Sequence, residues 1–262
     1  YRRQRQMCIR DRAMIAAMVV SLTACGGKNN GKQGKDSTES LKVAYQSGIA
    51  YAPILVMKDQ KFIEKNYDGN VDIDWQLLSG GAAISEGLTS NTVDVGAIGT
   101  GVAITGAKAG APYKIFAGMS SQPYRISTNK EEIKTLKDIT KEDQIAITGI
   151  NSQPHIVLAM AAKAYLGDAH ALDANLVAQP NADGYTSLVS GAVQCHMIMS
   201  PYCFMEQNKE GIHQIEVDES VWPVGDTTIV GVATEKLKEE RPKLYEAVCK
   251  AMDDAIEFIN DN

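Results

Sequence analysis

Six short segments of this 262-residue chain carry the residue types that can hold a small molecule. They are "QSGIAY" (46–51), "LSGGA" (78–82), "IGTGV" (98–102), "GINSQPH" (149–155), "QPNAD" (179–183) and "MSPY" (199–202). All are rich in Gly, hydroxyl or amide groups, and most stand just before a helical stretch. Glycine lets a ligand approach the backbone, and a helix start presents unpaired N–H groups with a partial positive charge. Such loops suit an oxyanion without any ion pair. Each loop alone also reads as an ordinary helix cap; the convergence of six favours binding. The hydrogen-bonding candidates are Ser47, Gly80, Gly81, Thr100, Asn151, Ser152, Asn181 and Ser200, with Tyr51 and Tyr202 as walls at comparable helix starts. Arg125 can pair an anionic group directly, and Ser121 stands just before it. His155 lies near a helix start, where the dipole disfavours imidazolium. Asp183 reads as a cap that can also take an amino group. Trp222 is expected near a hinge and Trp75 in the core.

Covalent chemistry finds less support. Cys195 and His196 are neighbours on an expected strand, so their side chains point to opposite faces and cannot form a nucleophile–base pair. Cys195 and Cys203 lack zinc-type spacing, and with Cys249 they make an odd set, so buried thiols are expected. No metal and no cofactor is expected, and the chain does not read as an enzyme.

The elements that must position these loops alternate between short apolar runs and amphipathic stretches, the pattern of α/β units. "LKVAYQ", "VDIDWQLL" and "VDVGAIG" predict three strands, with helices over "APILVMKDQKFIEKN", from "SGG" through Leu88, and over "TGVAITGAKAG". "QIAITGI", "ANLVAQ" and "VQCHMIM" predict three more strands, each followed by a helix. The two series overlay. At an offset of 100, Leu88 falls on Leu188, Ser90 on Ser190, Val93 on Val193, Ile98 on Ile198 and Thr100 on Ser200; at 102, Val43 falls on Ile145, Ala44 on Ala146 and Ile54 on Ile156. Equal spacing over three units predicts a structural repeat. Parallel α/β sheets bind ligands beyond the carboxyl ends of their strands, so two such edges face to face make one cleft. "YRIST" is expected to leave the first lobe and "TTIVGVAT" to return to it, giving a two-segment hinge. "EERPKLYEAVCKAMDDAIEFIND" predicts a long helix with Leu244, Val248, Met252, Ile256 and Ile259 on one stripe.

The whole chain has a formal charge of −6, and residues 1–24 carry five Arg against one Asp, so the remainder is more acidic still. That balance argues against nucleic acid as a partner. Residues 1–12 have no periodicity, join the next segment abruptly and resemble a translated adapter sequence; they are set aside as non-native. "AMIAAMVVSLTAC" has the short apolar core and small-residue ending of a secretory signal. "GGKNNGKQGKDSTES" reads as a tether, and its near match to a phosphate loop fails because Gln33 stands where Ser or Thr is needed. The expected organisation is a signal over 1–24, a linker over 25–40, one lobe from 41–123 plus 229–262 and the other from 124–228.

"SGIAYAPILVMKDQKFIEKN", "SGGAAISEGL", "VDVGAIG" and "AGAPYKIF" resemble the periplasmic-type solute-binding proteins of ABC importers, and within them the nitrate, sulfonate, taurine and thiamine-precursor group. "LTAC" resembles the lipobox of bacterial lipoproteins, which implies lipidation of Cys25 and a membrane anchor. The resemblance implies the type II periplasmic-binding-protein fold: two doubly wound α/β lobes with a hinge and a cleft between them. It implies a monomeric extracytoplasmic protein that closes on a small oxyanion, sulfonate-like before nitrate-like, with an ABC permease and its ATPase as partners. Family members usually continue beyond the last helix, so a truncated C-terminus is one expectation, left open by the sequence. Three alternatives remain open: a thiamine-precursor pyrimidine as ligand, an enzyme on the same fold, and a ligand-sensing lobe pair. "QCHMIMSPYC" does not supply the cysteine-rich motif of the thiamine-pyrimidine synthases.

Overall fold

In the computed structural model, residues 38–217, 221 and 227–262 are described. The expectations for the signal segment, Cys25 and most of the linker, and for Trp222, lie outside the described residues. The chain begins with β1 (Glu39–Tyr45), in which Leu41, Val43 and Ala44 are fully buried. The stretch predicted as one helix forms two, α1 (Ala52–Asp59) and α2 (Phe62–Asn66), separated by Lys61 in the left-handed region at φ 55. At about 100° per residue, a continuous helix would put Ile63 on the face opposite Ile54. The break turns it back, and Ile54, Met57 and Ile63 are all fully buried in one cluster.

Next come β2 (Val71–Leu77), α3 (Gly81–Thr89), β3 (Val95–Gly99), α4 (Thr100–Lys108) and β4 (Tyr113–Ser120). β5 (Tyr124–Thr128), β6 (Ile145–Ile147), α5 (Gln153–Leu166), β7 (Leu176–Ala178), α6 (Asn181–Ser190), β8 (Cys195–Met199), α7 (Tyr202–Gln207) and β9 (His213–Gln214) follow. The chain then returns as β10 (Ile229–Thr234), α8 (Glu235–Glu240) and α9 (Pro242–Asp261).

These strands make two five-stranded sheets of the same design, ordered β2-β1-β3-β10-β4 and β7-β6-β8-β5-β9. In each, three strands are parallel and the fourth is the antiparallel crossing strand. The internal repeat appears in the register: Val43 pairs with Val95 and Ala44 with Gly96, while Ile145 pairs with Cys195 and Ala146 with His196. The protein is therefore two doubly wound α/β lobes joined by a hinge. At that hinge, the Thr228 amide donates to the Ser120 carbonyl at 2.9 Å, and the Gln122 amide donates to Thr228 Oγ1 at 2.9 Å.

Packing explains two sequence features. α3 lies so close on β3 that a Cβ at Gly96 would stand 2.4 Å from Ile84 Cγ2, so the position suits glycine. α9 seals one face of the first sheet with Leu244, Ala247, Val248, Ala251, Met252 and Ala255 buried; Ile259, expected on the stripe, is exposed. Among the described residues three cysteines are free: Cys195 and Cys203 are buried, and Cys249 is half-buried.

Candidate functional site

The carboxyl ends of β1, β2, β3, β6, β7 and β8 all meet at a cleft between the lobes. It has a small inner chamber of about 30 Å³ and an outer one of about 570 Å³. Every one of the six loops singled out by sequence contributes to its lining. Ser47, Tyr51, Gly81, Ser152 and Asn181 reach the inner chamber; Ser47 and Asn181 continue into the outer one, where Ser200 and Tyr202 join them. Gly48 is held at φ 128 on the rim, a backbone conformation that only glycine adopts without strain.

The remaining candidates stand elsewhere. Gly80 is the residue before α3 and lines neither chamber. Ser121 and Asp183 are exposed. The Arg125 guanidinium donates to the Tyr124 carbonyl at 2.9 Å rather than facing the cleft. Thr100 is turned to the hinge: its Oγ1 donates to the Thr227 carbonyl at 2.8 Å. Thr100 and Ser200, equivalent in the repeat, therefore do not both face the cleft. Asn151, at φ 60, lines a groove between α3 and α4 and another along α5. His155 holds that turn: its Nδ1 accepts the Asn151 amide at 3.0 Å, which leaves the ring proton on Nε2, 3.3 Å from Asp173 Oδ1. Burial pushes the Asp173 carboxyl up, but hydrogen bonds from His170 and His155 outweigh burial and hold it below its ordinary range.

Among the polar side chains that line the inner chamber, four are not named as candidates from sequence: Gln46, Tyr124, Thr148 and Gln153. Three lie within or directly beside segments that were singled out. Tyr124 was hidden by its position on a strand. Tyr51 and Tyr124 are each only 3% exposed. Burial pushes both phenols above their ordinary range, and at Tyr124 the neighbouring Tyr51 adds to this. They therefore remain donors.

The electrostatics follow from what is missing as much as from what is present. Among the described residues, no Lys, Arg, Asp, Glu or His lines either chamber. Positive potential comes instead from helix starts. α3 and α6, one from each lobe, begin at the lining residues Gly81 and Asn181 with no side-chain cap on their first amides. α5 behaves differently, since Ser152 Oγ accepts the His155 amide as an ordinary cap. Asn181 Oδ1 is buried without a partner. The outer chamber sets apolar side chains, Ile49, Leu77, Leu78, Pro180, Met199 and Pro201, beside its polar groups, and Tyr202 rests on Tyr185 with ring centroids 5.9 Å apart. No group of three or more His, Cys, Asp or Glu among the described residues is placed to hold a metal ion.

Solved structures share this architecture. The periplasmic aliphatic sulphonate binding protein SsuA of Escherichia coli superposes with a TM-score of 0.63 at 20% identity, over 86% of this chain and 75% of its own. The CA3427 gene product of Candida albicans, described as having the generic periplasmic binding protein fold, gives 0.65 at 17% identity over 85% and 72%. The periplasmic nitrate-binding protein NrtA of Synechocystis PCC 6803 gives 0.63 at 16% identity over 83% and 61%. No curated protein sequence matches the chain significantly. At these identities the likeness is one of fold. A family assignment comes from sequence: the profile of the NMT1-like family matches residues 34–262, which takes in both sheets and the cleft, and the chain belongs to that family.

Proposed function

We propose that the protein captures a small organic oxyanion, sulfonate-like before nitrate-like, by closing its lobes, and delivers it to an ABC permease and its ATPase. The carrying observation is the pair of uncapped helix starts, α3 and α6, that meet across a cleft without charged side chains. An oxyanion there would accept amide N–H groups from both lobes, and the protonated Tyr51 and Tyr124 hydroxyls would add donors. Contacts to both lobes exist only when the cleft is shut, which supplies the differential affinity that closure requires. The apolar side chains of the outer chamber, Ile49, Leu77, Leu78 and Met199, suit an organic portion, which nitrate lacks. Asn181 can present either end of its amide by turning about its last bond, so it serves as donor to an oxyanion. If Oδ1 stays inward, it calls for a ligand N–H, and that observation favours the second reading, a thiamine-precursor pyrimidine.

No catalytic role is proposed, because among the described residues the cleft lining pairs no nucleophile with a base. A location outside the cytoplasm, with a lipid on Cys25 and a monomeric folded part, completes the reading. The lobes are assigned as 41–123 plus 229–262 and 124–228. Thermal unfolding with ethanesulfonate, nitrate and an aminopyrimidine tests the ligand. A selective rise with ethanesulfonate is expected; no rise with any of the three sinks the oxyanion reading. Incorporation of a labelled fatty acid that is lost in Cys25→Ala tests the anchor.

A further inference from the structure

The start of α4 is capped by the opposite lobe. Gln153 Oε1, at the head of α5, accepts the Gly101 amide at 2.7 Å. Gly101 is the second residue of α4, the amide a capping side chain normally takes, and the residue before the helix is Gly99, which has none to offer. Where this chain caps a helix from its own sequence it uses a hydroxyl, Ser152 for α5 and Thr234 for α8.

The seat is cut to fit. A Cβ at Gly99 would stand 2.5 Å from Gln153 Cβ, and all three of its nearest atoms belong to Gln153. A Cβ at Gly101 would meet Gln153 Oε1 at 2.9 Å and Ile156 Cγ2 at 3.0 Å. Gly99 has φ −62 and ψ 141, a conformation open to any residue, so its lack of a side chain answers to the other lobe and not to its own backbone. Ile156 packs on the first-lobe cluster that holds Ile84, Leu88 and Val102. On its other side α4 is tied to the hinge, through the Thr100 amide and hydroxyl to the Thr228 and Thr227 carbonyls.

We infer that Gln153 is a closure latch. Its side chain caps α4 only while the lobes are shut, so a helix-capping interaction stabilises the closed form alone and biases the open–closed equilibrium whether or not solute is present. Opening hands the Gly101 amide to water. The inference goes beyond the proposed function and holds for any solute.

Solute-free full-length protein tests it, by hydrogen exchange at the Gly101 amide and by small-angle scattering. Gln153→Ala should speed Gly101 exchange about fivefold or more, the usual effect of losing a cap, and shift the scattering toward a longer particle. Amides of β3 and β10 should keep wild-type protection. Gln153→Glu keeps an acceptor oxygen at the same reach and should restore both readouts. Gly99→Ala should wedge the lobes apart and match Gln153→Ala in scattering. Unchanged Gly101 exchange in Gln153→Ala overturns the latch. Wild-type scattering from Gly99→Ala also overturns it, as does a loss of protection spread through β3 and β10. Solute titrations are read separately, so failure of the ligand proposal leaves these outcomes intact.

Discussion

Replacing Asn181 by leucine should move stability and binding in opposite directions. Leucine keeps the branching of the asparagine side chain and removes both polar ends. In the solute-free protein Asn181 Oδ1 is buried without a partner. Leaving such a group unpaired costs about 1–3 kcal/mol, so its removal should stabilise the protein by about 1–2 kcal/mol once partial solvation of the amide is allowed for. For a folded part of this size that is a rise of about 2–8 °C in melting temperature. A solute held by the Asn181 amide loses a hydrogen bond to a charged group, about 1.5–3 kcal/mol, or about 10- to 100-fold in affinity. Scanning calorimetry with and without ethanesulfonate reads both effects in one experiment. The variant should melt higher than wild type alone and gain less from solute. A lower melting temperature without solute, or an undiminished gain with it, refutes the assignment of Asn181 as a binding group held unsatisfied for its ligand.

Three further outcomes follow from the packing and the charges. Gly96→Ala should destabilise the protein by about 1–3 kcal/mol in urea unfolding, because its methyl would press on Ile84 under α3; a neutral result would mean that α3 can lift freely. Burial raises the Asp143 carboxyl, but hydrogen bonds from Lys130 and from the Thr140 amide and hydroxyl outweigh it and hold the group below its ordinary range. Its stabilisation is therefore complete above the unfolded carboxylate value near ~4 and is lost as pH falls through the lower folded value. Asp143→Asn should flatten the acid limb of the stability curve, and an unaltered limb would contradict this. Burial pushes the Cys195 thiol up to about 12. With a disulfide reagent at mild alkaline pH, native protein should label at half-buried Cys249 and leave Cys195 and Cys203 unmodified; early loss of the Cys195 thiol would show that the second sheet opens.

Local order was written plainly in the chain. The short apolar runs in "VDVGAIG" and "VQCHMIM", 100 residues apart, yield β3 and β8 at matching places in two sheets of the same strand order. Period-two and period-3.6 patterns report only which residues share a face, and that suffices to build lobes, sheet order and a cleft at the strand ends. It does not suffice to break a helix at Lys61, which happens because Ile63 must rejoin Ile54 and Met57 in a core formed with the distant α9.

The site divides in the same way. Its loops were legible, since their glycines, hydroxyls and amides cluster before helices. Which member of each loop faces the cleft was not. Thr100 and Ser200 are equivalent in the repeat, yet Thr100 bonds to the Thr227 carbonyl, 127 residues away, and Ser200 lines the outer chamber. Ser152 caps its own helix, while Asn181 caps nothing and Gln153 caps a helix of the other lobe. A hydroxyl or amide takes whichever partner lies nearest in space. That neighbour is supplied by strand crossing and lobe contact, which no short window of sequence contains.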